Sequence, residues 1–153
     1  LPHIDYLILN EFEACRTTGH QPRRGKQLDM AAIRSSAREL LKRGVHELVV
    51  IHAPEGGYAL ERRGRESFQS SLDLPPGYIK GTVGAGDAFC AGVLYGLYRR
   101  WPIKKCLLLA ACCGAACLSD PTCTAGMRSL SETLALAQQF PFKPNLLSPL
   151  ERV

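Results

Sequence analysis

The stretch Gly81-Thr82-Val83-Gly84-Ala85-Gly86-Asp87-Ala88-Phe89 holds the residues whose types and spacing could do chemistry. Gly84, Ala85 and Gly86 have little or no side chain, so the backbone can approach a ligand closely and aim successive N–H groups at it. A helix is predicted to open at about Asp87, and the amino end of a helix carries partial positive charge. Together these features describe an anion site suited to phosphate. Asp87 falls in the first turn, where negative charge is favoured. A carboxylate beside a phosphate cradle can accept the proton of an attacking hydroxyl. Short glycine motifs are common, and the same residues also read as a plain glycine turn with Asp87 as an ordinary helix cap.

Such a turn needs a frame of strands and helices to hold it. Residues 4–9 (IDYLIL) read as a short buried strand. Residues 10–18 read as a helix capped by Asn10 and stopped by Gly19. Residues 19–28 read as a polar loop. Asp29 is placed to cap a second helix running to about Arg43 and ended by Gly44, with Met30, Ile33, Ala37, Leu40 and Leu41 at helical spacing. Residues 47–52 (ELVVIH) read as a second buried strand. Residues 58–62 and 67–71 read as a hairpin around Arg63-Gly64-Arg65. After the connector Leu74-Pro75-Pro76-Gly77, the glycine turn opens a helix to about Arg100 with Phe89, Val93, Leu94 and Leu97 on one face. Trp101-Pro102 breaks it, and another helix spans about 103–119. Residues 120–126 form a loop. Ser129-Leu130-Ser131-Glu132 is a capping box that opens a last helix to about Phe140. The tail, with Pro141, Pro144 and Pro149, reads as irregular. The alternation of strand and helix is an α/β pattern. Residues 1–153 read as a single partial domain, with no repeat and no clear internal boundary.

The segment GTVGAGDAFCAGVLYGL, residues 81–97, closely resembles the second signature of ribokinase-like (PfkB) carbohydrate kinases, Asp-Thr-x-Gly-Ala-Gly-Asp-x-Phe. Other segments agree in order and spacing. LILN followed by EFEACRTTG resembles the family's Asn-x-x-Glu motif, here Asn10 and Glu13. VVIHAPEGGYAL resembles its nucleotide strand and turn. ACCGAACLS, with the small-residue loop Thr124-Ala125-Gly126, resembles the helix beside the adenine.

The resemblance implies an α/β, ribokinase-like three-layer αβα sandwich, represented here by its carboxyl-terminal, nucleotide-binding half. It implies ATP-dependent phosphorylation of a sugar or sugar-like alcohol. Asp87 would be the general base, and the N–H groups of Gly84, Ala85 and Gly86 the anion hole for the transferring phosphoryl group. Asn10, His52, Gly56, Gly57, Thr82 and Ala111 would contact the nucleotide. Asn10 and Glu13 would organise Mg²⁺ through its waters, since magnesium takes few protein ligands. Three positions depart from the pattern. Gly81 stands where the signature opens on Asp, a residue that often helps a monovalent-cation site, so a potassium requirement is not carried over. His52-Ala53-Pro54 replaces Thr-x-Gly in the nucleotide turn, and Pro54 has no N–H to donate. Ala111 stands where the family often has Asn or His near the base. The match covers only half of the family's domain, and the missing half normally supplies most sugar contacts and the lid through which members pair. The chain is therefore expected to be part of a longer kinase, inactive alone, with room for a homodimer of the full-length protein. Leu1 in place of an initiator Met reads as though earlier sequence were missing.

Composition narrows the alternatives. The chain has 153 residues and a net charge of +5, with an ordinary globular share of hydrophobic residues at 46%. The positive excess lies between Arg16 and Arg43, and that stretch, including Arg23, Arg24 and Lys26, has no interleaved aromatic residues. It reads as a solvated face, not a nucleic-acid site. No apolar run approaches the ~20 residues of a membrane helix. No secretory signal opens the sequence. Of seven cysteines, Cys106, Cys112, Cys113, Cys117 and Cys123 cluster on and after an apolar helix. They read as reduced, small buried residues of a cytoplasmic protein. His3, His20, His46 and His52 show no ligand spacing with one another. Two rivals to the kinase reading stand: a non-catalytic nucleotide-binding relative, suggested by Gly81, Pro54 and Ala111, and a cysteine-based metal or redox module.

Overall fold

The structure is a computed structural model that describes residues 1–147. The described residues divide into two compact units, Leu1–Phe68 with 145–147, and Gln69–Pro144.

In the first unit the order is β1 (Tyr6–Asn10), α1 (Glu11–Thr18), β2 (Arg23–Arg24), β3 (Gln27–Leu28), α2 (Met30–Lys42), β4 (Leu48–Ala53), β5 (Gly56–Glu61) and β6 (Glu66–Ser70), which runs across the boundary. The main sheet has the order β1-β4-β5-β6. β1 and β4 are parallel, Tyr6 opposite Leu48 and Asn10 opposite His52, so α1 and α2 lie in a crossover between them. β4 and β5 are antiparallel, closed by the two-residue turn Pro54-Glu55. One side of the sheet is packed by Ala14, Cys15, Ile33, Ala37, Leu40 and Leu41 from the helices against Val49, Ile51, Tyr58 and Leu60. The apolar spacing of α2 is what puts Ile33, Ala37 and Leu40 on that side.

The stretch 19–28, expected as a polar loop, contains a small antiparallel ribbon in which Arg23 pairs with Leu28 and Arg24 with Gln27. Gly25 takes φ +61° in its two-residue turn, which only glycine adopts freely. The basic stretch is also largely neutralised by neighbouring acids. Arg23 pairs with Glu11 and Glu55, Arg24 with Asp29, Arg34 and Arg38 with Glu66, and Arg43 with Glu39.

The second unit holds α3 (Ala85–Tyr98), α4 (Ile103–Leu118) and α5 (Leu130–Gln139). Leu72, Cys112, Ala115, Ala116 and Leu136 form one apolar cluster, and Ala88, Leu109, Cys113 and Cys117 another. The expected apolar face of α3 is only partly right. Phe89 and Val93 are buried, but Leu94 is 46% exposed. The contact face is carried by glycine. A Cβ on Gly92 would lie 2.6 Å from the Ala110 Cα, and one on Gly96 2.6 Å from the Cys106 sulfur. The absent side chains let α3 and α4 approach backbone to backbone. Hydrophobic spacing missed this because α3 is apolar nearly all round. The tail is less irregular than expected, since Phe142 bridges Leu72 and the Lys143 N–H reaches the Ser71 carbonyl at 2.9 Å. Pro149 lies outside the described residues.

All seven cysteines are free thiols. Cys106, Cys112, Cys113 and Cys117 are buried as expected, while Cys123 is exposed. Burial pushes the Cys112 and Cys113 thiols up to about 11, so they are protonated at neutral pH and poor nucleophiles. Among the described residues no helix is long and apolar enough to cross a membrane.

Two outcomes follow. At pH 8 a soluble alkylating agent should label Cys123 before Cys112 or Cys113, as mapped by mass spectrometry; equal labelling rates would mean that α4 is not packed in solution. Gly92→Ala gains helix propensity yet should lower the melting temperature by about 5 °C, because the new methyl must push Ala110 away. A raised melting temperature would contradict the close helix contact.

Candidate functional site

In the second unit, α3 begins at Ala85, two residues before the expected start. The N-cap is Gly84, in the left-handed conformation at φ +82°, and no side chain caps the helix. Asp87 is therefore the third helical residue, and the reading of it as an ordinary cap is excluded. The carboxylate side chain is exposed. The contrast with other helices is informative. Asn10, Asp29 and Ser129 each cap theirs with a side-chain oxygen. At α3 the Ala88 N–H closes the first turn on the Gly84 carbonyl at 2.8 Å, and the Ala85 N–H reaches the Thr82 carbonyl at 3.4 Å. The N–H groups of Gly86 and Asp87 precede the helical ladder and point out of the helix end.

A second segment holds this turn in place. The Lys80 N–H donates to the Leu118 carbonyl at 2.9 Å. Cys117 donates its thiol proton to the carbonyls of Cys123 at 3.2 Å and Val83 at 3.5 Å. A Cβ on Gly84 would stand 3.0 Å from the Cys123 carbonyl oxygen, and one on Gly126 2.3 Å from the Ala116 oxygen. The loop after α4 thus lies directly on the glycine turn, a packing that the sequence pattern did not reveal. It also accounts for Gly81, where a Cβ would meet the Pro121 Cα at 2.8 Å. With Pro121 in that position, an Asp at 81 does not fit. Thr82 is exposed, and Ala111 is buried in α4, one turn before Gly114.

In the first unit, the parallel register places Asn10 beside His52 at the carboxyl ends of β1 and β4. Asn10 and Glu13 are joined directly. The Glu13 N–H donates to Asn10 Oδ1 at 2.8 Å, and the Asn10 N–H donates to Glu13 Oε2 at 3.0 Å. This reciprocal capping box fixes both residues through one Glu13 carboxylate oxygen, on a residue that is exposed. Gly56 and Gly57 are not in the turn but are the first, buried residues of β5, opposite Ala53 and His52. Sequence reasoning missed the residues next to these. Glu11 is 4% exposed and pairs with Arg23, which also grips Glu55 in the β4–β5 turn. The one available signal was an acid at the first helical position, directly after Asn10.

The glycine turn thus groups Thr82, Gly84, Ala85, Gly86 and Asp87 in one unit. The sheet end groups Asn10, Glu13, His52, Gly56 and Gly57 in the other. A family model described as pfkB family carbohydrate kinase matches residues 1–130. The chain belongs to that family. Within it, a 5-dehydro-2-deoxygluconokinase of Geobacillus kaustophilus is 32% identical over 105 residues, covering 69% of this chain and 29% of the relative. A ribokinase of Arabidopsis thaliana is 30% identical over 118 residues, covering 77% of this chain and 29% of the relative. The structure of Arabidopsis thaliana ribokinase complexed with ribose and ATP superposes with a TM-score of 0.76 at 24% identity, over 88% of this chain and 41% of that one. The fold of this pfkB-family chain is accordingly ribokinase-like and mixed α/β. The chain spans less than a third of the length of the curated relatives it matches, between 24% and 32%.

Gly84→Ala should cost about 2 kcal/mol, from the left-handed backbone and the contact with Cys123 together. Chemical denaturation should show it as a lower midpoint, and an unchanged midpoint would mean that the loop yields freely.

Proposed function

We propose that this chain is the carboxyl-terminal, nucleotide-binding half of an ATP-dependent kinase that phosphorylates a hydroxyl of a sugar or a related alcohol. The observation that carries the reading is the start of α3: a helix without a side-chain cap, a left-handed glycine, and an exposed Asp87 in the first turn. The uncapped N–H donors of Gly86 and Asp87, set in a turn of small residues, suit an anion.

The chemistry then follows from the chain's own groups. The backbone N–H groups of Gly84 and Gly86 hold the charge that grows on the transferring phosphoryl oxygens, Ala85 joins them by giving up its long 3.4 Å bond to the Thr82 carbonyl, and such donors are worth a few kcal/mol in a dry site. Asp87 takes the proton of the acceptor hydroxyl as that oxygen attacks the γ-phosphorus. The bond from the γ-phosphorus to the bridging oxygen breaks, and ADP leaves. Asn10 and Glu13 suit Mg²⁺ held through water: their capping box fixes them, and Glu13 keeps one carboxylate oxygen for a metal-bound water. When bound, the metal supplies charge neutralisation at the phosphates. Thr82, His52, Gly56, Gly57 and Ala111 are assigned to the nucleotide, with backbone and small side chains in place of specific contacts. A need for ATP and seven free thiols fit a cytoplasmic setting.

The closest rival, a nucleotide-binding relative without catalysis, draws on Pro54, Gly81 and Ala111. One experiment separates the two. In the intact gene product, Asp87→Asn should lower kcat by about three orders of magnitude over a panel of sugars while MgATP still binds. A wild-type protein that binds MgATP but phosphorylates no sugar would favour the rival. A variant with nearly unchanged kcat would remove Asp87 from its role.

A further inference from the structure

Arg23 belongs to the basic stretch that the phosphoryl-transfer reading leaves unused. Its Nη2 donates to Glu11 Oε1 at 2.8 Å and to Glu55 Oε2 at 3.1 Å, and its Nη1 donates to Glu55 Oε1 at 2.7 Å and to the Lys26 carbonyl at 3.2 Å. These four contacts match the four terminal protons of the guanidinium, so the fork of Arg23 is taken up by protein acceptors. The exposure of the Glu11 side chain is 5%, of Arg23 20% and of Glu55 27%, so the network is mostly withdrawn from water. Its anchors are telling. Glu11 directly follows Asn10, and Glu55 is the second residue of the β4–β5 turn, three residues after His52. Both acids therefore stand at the sheet end that carries Asn10, Glu13 and His52.

An unpaired buried carboxylate is costly, and two close together repel each other and any nearby anion. Arg23 relieves both problems and spans the two elements as well. We propose that Arg23 is a positioning residue for nucleotide binding: it clamps the β4–β5 turn to the amino end of α1 and cancels the negative field of Glu11 and Glu55 that would otherwise oppose a polyphosphate. The proposal rests on the reading that this sheet end serves MgATP.

The test is calorimetric titration of the intact gene product with MgATP at low and at physiological salt, with melting temperature recorded alongside. The proteins compared are wild type, Arg23→Gln, Arg23→Lys and the double variant Arg23→Gln with Glu55→Gln. Arg23→Gln should weaken MgATP binding about tenfold at low salt and less at higher salt, where the exposed field is screened. The double variant should regain most of that loss, although it restores no ion pair, because one of the two opposing charges is gone. If Arg23→Gln does not fold, Arg23→Lys carries the test, since it keeps the charge but cannot span both carboxylates in the same fork. It should weaken binding about threefold, and unchanged binding would overturn the proposal. A purely structural Arg23 would give a salt-independent loss that the double variant does not recover, and that result also overturns it. Wild type that binds no MgATP sinks the nucleotide reading together with this inference; wild-type binding with an unaltered Arg23→Gln sinks the inference alone.

Discussion

Close backbone approach at glycine governs the second unit. Gly84 can take φ +82° and cap α3 without a side chain, and the loop carrying Cys123 lies where any larger residue would project. This one constraint has several effects. It leaves the N–H groups of Gly86 and Asp87 outside the helical ladder, it moves the helix start forward to Ala85, and it sets Asp87 in the first turn with its side chain in solvent. The same rule continues along α3, where Gly92 and Gly96 bring its backbone onto Ala110 and Cys106. A helix held this closely along its length is a rigid mount for the Asp87 carboxylate.

The first unit solves a different problem, that of keeping several acids at one end of a sheet. Glu13 is tied into a capping box with Asn10, and Glu11 and Glu55 share one guanidinium. The basic excess of the sequence therefore does not describe an open cationic surface. Five of the eight basic residues from Arg16 to Arg43 are in ion pairs, so the stretch serves mainly to fasten the helices and the small ribbon to the sheet. Exposed pairs such as Arg43–Glu39 contribute little to stability. The Arg23 cluster differs, because losing its cation would strand a buried charge.

The departures at positions 54 and 81 take on a structural meaning. Gly81 is not simply a lost ligand, since Pro121 occupies the space that a side chain would need. The two residues belong to adjoining segments 40 positions apart in sequence, and a side chain at 81 would require Pro121 to move. Pro54 opens a two-residue turn whose second residue, Glu55, is gripped by Arg23, so rigidity there comes from a fixed φ and an ion pair where a glycine turn would offer N–H donors.

Much was legible from local rules. The caps Asn10, Asp29 and Ser129, the strands around residues 6–10 and 48–53, and the hairpin at Gly64 all follow from short-range chemistry, in which a side-chain oxygen meets a nearby N–H or an apolar run meets a turn. The glycine signature was equally plain, because it is contiguous. What stayed hidden involves residues far apart in sequence. Gly92 and Gly96 show their purpose only when α4 lies against them. Leu94 faces solvent although its type predicts burial. Glu11, Arg23 and Glu55 become one network only when a helix start, a ribbon and a turn converge. The sequence by itself determined the element order, the helix caps and the run of small residues ending at Asp87, since each depends on neighbours a few bonds away. Only the tertiary structure decided which glycines are contacts, which acids are neutralised and why position 81 has no side chain, because packing and charge pairing act through space between segments that the chain order keeps apart.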